Sequence, residues 1–113
     1  MTESDKRFAI RLRKFIDLTV EDPLSSMLLR GAVADISHTG MRIIVDQYLP
    51  AGTKYTFTMK RAPFLKLRGQ VRWVRPFQTD TYQCGVLFIE ANDEDLKRLS
   101  SFLEMEHARL TKE

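Results

Sequence analysis

Leu65-Lys66-Leu67-Arg68-Gly69-Gln70-Val71-Arg72-Trp73 alternates apolar or small residues with charged or polar ones at every step. A period of two is typical of a β-strand with one face toward a core and the other toward water. The same alternation occurs in residues 16–20, 41–45 and 54–60, whereas residues 82–89 are apolar on both faces. Segments rich in turn-forming residues separate these runs. We count six strands at short intervals, which predicts a mainly β chain folded as an antiparallel barrel or sandwich.

The periodicity changes near the C-terminus. Asn92 is a favourable helix cap, and residues 93–95 are acidic, as the dipole at a helix N-terminus favours. Large apolar residues then recur at helical spacing at Leu96, Leu99, Phe102, Leu103 and Leu110. We therefore expect one amphipathic helix from about residue 93 to 109, which covers an open end or edge of the sheet.

The length of 113 residues fits one domain. We expect an N-terminal basic arm over residues 1–14 and a single β-domain with its helix over residues 15–113. The net charge is +3, but residues 1–90 carry +5 and residues 91–113 carry −2. The basic excess therefore belongs to the arm and the β-domain, and such a surface favours anionic partners such as phosphates and nucleotides.

Composition also argues against several classes of protein. The single cysteine, Cys84, excludes an internal disulfide framework, and one Cys with two distant His cannot form a structural zinc site. The polar N-terminus does not resemble a secretory signal, and the longest apolar run, residues 84–89, is too short to span a membrane. We expect a cytoplasmic protein with no metal and no cofactor. The sequence motifs place no nucleophile beside a base and include no Gly-rich phosphate loop. We therefore do not expect an enzyme.

Two short motifs lie outside the expected core. Arg7 and Arg11 form an R-x-x-x-R spacing in the arm, which is weak by itself in a chain rich in arginine. Asp35, Ser37 and Gly40 form a D-x-S-x-x-G pattern at the junction of two predicted strands. At average residue usage, such a pattern arises by chance in roughly 5% of chains of this length. The second motif is therefore the more informative one.

Taken together, the motifs and strands resemble the PilZ domain family. The resemblance extends over nearly the whole chain, through residues 6–11, 35–40, 69–73 and 85–88. It implies a six-stranded antiparallel β-barrel with a C-terminal helix, and a receptor for the bacterial second messenger cyclic di-GMP. One departure is Lys6, where many members have a second arginine, and this leaves the ligand stoichiometry open.

The chemistry of the motifs suits that ligand, which presents two phosphates and two guanines. The planar guanidinium groups of Arg7 and Arg11 can grip phosphate or pair with and stack on guanine. The Asp35 carboxylate can accept from the guanine N1–H and N2–H₂ edge, with Ser37 as a small donor or acceptor. Gly40 allows a backbone conformation or a close approach that a side chain would prevent. The expected function is a receptor whose arm becomes ordered on the ligand and signals to an unidentified output protein.

Arg42, on the outward face after the turn, is a further candidate cation for the ligand. The Asp35–Gly40 motif also has a purely structural interpretation, as an Asx-type turn with Gly40 at a positive φ. Similarly, Arg7 and Arg11 are interpretable as solvated charges, and His38 as a turn residue. The oligomeric state, monomer or homodimer, is left open.

Two alternative functions remain. A small basic barrel that binds single-stranded nucleic acid would use Arg68, Arg72 and Arg75 along the backbone and stack bases on Trp73 or Phe77. Otherwise Trp73 is expected to pack in the core or at the barrel edge. The other alternative is a PilZ-type interaction module that binds only proteins.

Overall fold

The computed structural model describes residues 16–22, 24, 27–60 and 65–111. It contains six strands and one helix: β1 (Ile16–Asp22), β2 (Met27–Ile36), β3 (Gly40–Val45), β4 (Lys54–Met59), β5 (Leu65–Pro76), β6 (Tyr82–Ile89) and α1 (Asp93–Thr111). The strands form a closed barrel in the order β1-β2-β3-β6-β5-β4, in which β4 pairs with β1 and all neighbours are antiparallel. The predicted barrel with a C-terminal helix is confirmed, and the sandwich is excluded.

The alternating pattern determines which residues fill the barrel. Along β4, for example, Tyr55, Phe57 and Met59 are buried while the residues between them are more exposed. Leu99, Phe102 and Leu103 of α1 join the same core, so the helix and the barrel share one apolar interior. Each large side chain removed from water in this way stabilises the fold by about 1.5–3 kcal/mol.

The start of α1 agrees with the capping signals in the sequence. Asn92 Oδ1 accepts a hydrogen bond from the Asp95 amide at 2.8 Å, and the Asp95 carboxylate accepts one from the Asn92 amide at 3.3 Å. This reciprocal arrangement satisfies amides that would otherwise lack partners at a helix N-terminus. Leu96 lies on the same face as Leu99 but is 44% exposed, so the barrel does not cover the first turn of the predicted apolar stripe.

Two β-bulges interrupt the regular alternation. The register shifts between Val33 and Asp35 in β2 and between Val71 and Trp73 in β5. An extra residue in one strand sends the following side chains to the opposite face. Ile36 and Val74 therefore contact the core, and Asp35 and Trp73 turn to the outside of the barrel.

The prediction that Trp73 continues the inward face of Leu65, Leu67 and Val71 is thus wrong. Simple alternation would place every second residue of β5 in the core, and the bulge breaks that rule one step before Trp73. The inward position goes to Val74, which pairs with the buried Cys84.

Strand direction divides the connections between two ends of the barrel. At one end, called here the near end, β1 begins at Ile16, the turn of residues 37–39 joins β2 to β3, and α1 follows β6. The other end, called here the far end, holds the β1–β2, β3–β4 and β5–β6 connections. The arm that precedes Ile16 thus joins the barrel at the end where the D-x-S-x-x-G turn lies.

In the described part of the chain, the one helix is too polar to cross a membrane. The same residues contain no group of three or more His, Cys, Asp or Glu side chains placed to hold a metal ion.

Candidate functional site

The D-x-S-x-x-G turn is held by hydrogen bonds within itself. The Ser37 amide donates to the Gly40 carbonyl at 2.8 Å, and the Ser37 hydroxyl lies 3.3 Å from that carbonyl and 3.4 Å from the Thr39 amide. The Phe88 amide donates to the Thr39 carbonyl at 2.9 Å and ties the turn to β6. Ser37 is 2% exposed, so its side chain organises the turn from the inside.

Gly40 is required by a close approach of two backbones. A Cβ at this position would lie 2.2 Å from the Val86 carbonyl oxygen of β6, far inside van der Waals contact. Among the described glycines, only Gly52 has a positive φ. The alternative in which Gly40 occupies a positive-φ turn position is therefore wrong, and the close-approach interpretation is correct.

Four residues form one row across the outside of the barrel. Asp35 pairs with Arg42 across β2 and β3, Arg42 with Gly85 across β3 and β6, and Gly85 with Trp73 across β6 and β5. The two bulges place the outer two members, Asp35 and Trp73, on this surface. An acid, a cation, a glycine and an aromatic ring thus lie side by side.

Asp35 and Arg42 form an ion pair at the first step of the row. Asp35 Oδ2 accepts hydrogen bonds from Arg42 Nε at 2.9 Å and from the Nη2 atom at 2.7 Å. The Asp35 side chain is 5% exposed and that of Arg42 is 38% exposed. The guanidinium therefore compensates a buried carboxylate and still reaches the surface.

Trp73 lies flat against the other end of the row. A Cβ on Gly85 would lie 2.1 Å from Trp73 Nε1, so the indole ring occupies the space above the Gly85 backbone. The Arg75 guanidinium carbon lies 4.4 Å from the centre of the ring, a cation–π contact. The ring is half-buried and offers a flat apolar surface beside positive charge.

Three members of the row, Arg42, Gly85 and Trp73, line a depression of ≈ 290 Å³ on the outer face of β3, β5 and β6. Its lining includes Ser37, Gly40, Arg42, Arg72 and Trp73. Two other depressions on the described surface have similar volumes, ≈ 290 and ≈ 310 Å³. Size therefore does not single out this site, but its combination of arginines, a tryptophan and the motif turn does.

The other candidates from the sequence have simpler roles. Arg68 donates to Thr56 and pairs with Glu90 at 3.4 Å, which reduces its availability to a nucleic-acid backbone. His38 is a half-buried turn residue. Burial raises the pKa of the Cys84 thiol to about 11, as expected for a small residue in the core.

The site predicted from the sequence comprises Arg7, Arg11, Asp35, Ser37, Gly40 and Arg42. The structure brings Asp35, Ser37, Gly40 and Arg42 together, whereas Arg7 and Arg11 lie outside the described residues. It adds Trp73 and Arg75 to the same surface. The Gly-to-Trp run from residue 69 to 73 contained Trp73, but period-two alternation placed its ring on the inward face, and Arg75 lies two residues beyond that run.

A small closed barrel with a charged and aromatic depression beside a motif turn is typical of a ligand-binding module. A family model described as the PilZ domain matches residues 5–105. The chain therefore belongs to the PilZ domain family, as the resemblance in its sequence indicated. No curated protein matches the chain significantly by sequence.

Solved structures show the same fold. The Bacillus subtilis inhibitor of motility MotI/DgrA has a TM-score of 0.71 and 13% identity, over 89% of this chain and 51% of that one. This chain thus spans about half the length of that protein. The PilZ domain of Escherichia coli YcgR, solved with c-di-GMP, has a TM-score of 0.68 and 13% identity, over 93% and 96% of the two chains. The PilZ domain of CeSA from a cellulose-synthesizing bacterium has a TM-score of 0.63 and 18% identity, over 83% and 97%.

Proposed function

We propose that this chain is a cyclic di-GMP receptor that binds the dinucleotide on the depression beside the Ser37–Gly40 turn. The row of Asp35, Arg42, Gly85 and Trp73 carries the proposal, because it offers a chemical partner for each part of the ligand. Membership of the PilZ family supports it independently.

Each side chain in the row has a role that follows from its position. The half-exposed Arg42 supplies positive charge to a phosphate, and the ring of Trp73 supplies a stacking surface for a guanine. Asp35 is the acceptor for a guanine edge, but in the free protein its Oδ2 is bound by Arg42. We therefore expect Arg42 to shift toward phosphate when guanine engages the Asp35 carboxylate.

The depression holds less than the dinucleotide needs. Pockets that enclose ligands of drug size measure about 300–1,000 Å³, and this one is open and at the lower limit. An open depression leaves part of a bound dinucleotide exposed, where a second surface can cover it. The N-terminal arm, with Arg7 and Arg11, is the segment proposed to do so.

Chain length is compatible with this closure. Ile16, the first residue of β1, pairs with Val33, two residues before Asp35. Since an extended chain spans at most about 3.6 Å per residue, Arg11 lies within about 18 Å of Ile16. Both arginines can thus reach the turn without any change in the barrel.

Signalling would follow from the difference between the two states of the arm. A ligand shifts an equilibrium only by its differential affinity for the two states. A dinucleotide held between arm and barrel favours the closed arm, and this altered surface would engage or release an output protein.

Calorimetric titration of the full chain with cyclic di-GMP tests the proposal, with GMP and cyclic di-AMP as ligand controls. We expect micromolar or tighter binding of cyclic di-GMP, and an affinity about 100-fold weaker when Arg7 and Arg11 are both replaced by Ala. The matched control replaces Arg13 and Lys14 by Ala, which removes the same charge outside the motif. This control should lose much less affinity for cyclic di-GMP. Equal losses in the two variants would mean that only net charge matters.

The nucleic-acid alternative predicts a different result. Single-stranded oligonucleotides would then bind with an affinity that falls steeply as salt increases. Tight oligonucleotide binding of that kind, with no heat from cyclic di-GMP, would replace the proposal.

A further inference from the structure

The far end of the barrel exposes large apolar side chains. Leu24, Leu28, Tyr48 and Phe77 are 95%, 66%, 59% and 45% exposed. All four lie in or beside the β1–β2, β3–β4 and β5–β6 connections. The other large hydrophobic residues of comparable exposure in the described chain, Leu96 and Met105, lie on α1.

The same connections are acidic although the chain is basic. The three connections and the three strand residues on either side of each contain four carboxylates against two cations, Lys54 and Arg75. The carboxylates are Glu21, Asp22, Asp46 and Asp80. These residues therefore carry a net charge of −2 in a chain whose total is +3. The four apolar side chains and these four carboxylates are called here the far rim.

Hydrogen bonds and ring contacts hold several residues of the far rim. Tyr48 packs edge-on against Tyr82 with ring centres 5.6 Å apart. In the β5–β6 hairpin, the Phe77 amide donates to the Thr81 carbonyl at 3.0 Å. Asp22 Oδ1 accepts from the Leu24 amide at 3.0 Å at the tip of the β1–β2 hairpin. At these residues a partner would meet groups that are already held by contacts within the chain, which lowers the entropic cost of binding.

We propose that the far rim is the docking surface for a partner protein segment in which Lys or Arg alternates with large apolar side chains. Exposed apolar residues surrounded by polar groups mark interaction sites, and four carboxylates select a cationic partner over an anionic one. Anionic membranes and nucleic acids carry the wrong charge for this surface. Along β3, Gly40 and Val45 are five residues apart, about 17 Å at 3.4 Å per residue, so the far rim lies away from the motif turn. It does not depend on the proposed ligand site.

The test uses the full chain labelled for NMR and two synthetic amphipathic peptides of equal length, one of Leu and Lys and the other of Leu and Glu. We expect the Lys peptide to shift amide signals of the three far-end connections and the Glu peptide to leave them unchanged. Replacing Leu28 and Phe77 by Ser should weaken binding of the Lys peptide about tenfold or more. Replacing Asp46 and Asp80 by Asn should weaken it severalfold and reduce its dependence on salt.

A matched control separates the far rim from exposed apolar surface in general. Leu96 and Met105 are exposed to a similar degree, and their replacement by Ser should leave the affinity unchanged. The proposal is overturned if both peptides bind equally, if the shifts map to α1, or if vesicles of anionic lipid shift the same far-end signals. Self-association that is lost in the Leu28→Ser, Phe77→Ser variant would also overturn it, because the occupant would then be a second copy of the chain.

Discussion

The ion pair between Asp35 and Arg42 should contribute far more to stability than an ordinary surface pair. Asp35 Oδ2 accepts two hydrogen bonds from the guanidinium, and its side chain is 5% exposed. Removing one partner of a fully buried pair costs about 3–5 kcal/mol. Because Arg42 is 38% exposed, water can partly replace it. We therefore expect Arg42→Met, which keeps the aliphatic stem, to lower the free energy of unfolding by about 2–3 kcal/mol.

The pair between Arg98 and Glu94 provides a matched control. Its atoms are 2.8 Å apart, close to the 2.7 Å of the buried pair, but both side chains are more than half exposed and the residues are one helical turn apart. Such pairs contribute about 0.3–0.5 kcal/mol. Two double-mutant cycles, Arg42→Met with Asp35→Asn and Arg98→Met with Glu94→Gln, should be measured by urea unfolding monitored by circular dichroism. We expect a coupling energy of about 2 kcal/mol for the first pair and under about 0.5 kcal/mol for the second.

The slope of the unfolding free energy against urea should be unchanged in all variants, so that shifts in midpoint report stability alone. A coupling energy for Asp35 and Arg42 no larger than that of the helical pair would refute the reasoning. It would show that burial of the carboxylate does not make it dependent on Arg42.

Four further predictions concern single positions. Gly40→Ala should destabilise the barrel by about 3 kcal/mol or more, because the new methyl group meets the Val86 backbone. In Gly85→Ala the new methyl group meets the half-exposed Trp73 ring instead. That substitution should lower the free energy of unfolding by about 1–2 kcal/mol and move tryptophan emission to longer wavelength. Asn92→Ala should cost about 1 kcal/mol in urea unfolding through loss of the helix cap, and no loss would contradict the capping assignment. Burial raises the pKa of Cys84 from 9.0 to about 11, so the unfolded chain releases this proton first and stability should fall by about 2 kcal/mol from pH 9 to 11. Urea unfolding at a series of pH values measures this decrease in stability. Cys84→Ala should abolish the part of the decrease that comes from the thiol.

The fold was largely predictable because a period of two reports a local property of each strand. Four segments alternate and residues 82–89 are apolar on both faces, so the pattern marks most of the strands. The choice of a closed ring came from the resemblance to PilZ domains. The pattern alone left the sandwich open, because alternation says which face is buried but not which strands pair.

The site was less predictable because it depends on the two bulges. A bulge adds one residue to a strand, and nothing in Val71-Arg72-Trp73 marks where the extra residue lies. The motif turn and Arg42 were accessible to sequence reasoning, since their chemistry and order are local. Their alignment with Trp73 in one row requires strand pairing between residues far apart in the chain. The burial of Glu106, 2% exposed on the inner face of the helix, had no signal in the sequence either.

The closure of the sheet limits how this domain can communicate. Each of the six strands hydrogen-bonds to a neighbour on both sides, and among the described residues a free backbone edge occurs only where a strand extends beyond its partner, as in residues 27–30 of β2 and 72–76 of β5. Recruitment of another polypeptide by strand addition, a common mode of peptide capture, is thereby closed to the paired length of the barrel wall. Signals from this paired surface must therefore be transmitted by side chains and loops. Surface substitutions can change those signals without changing the fold.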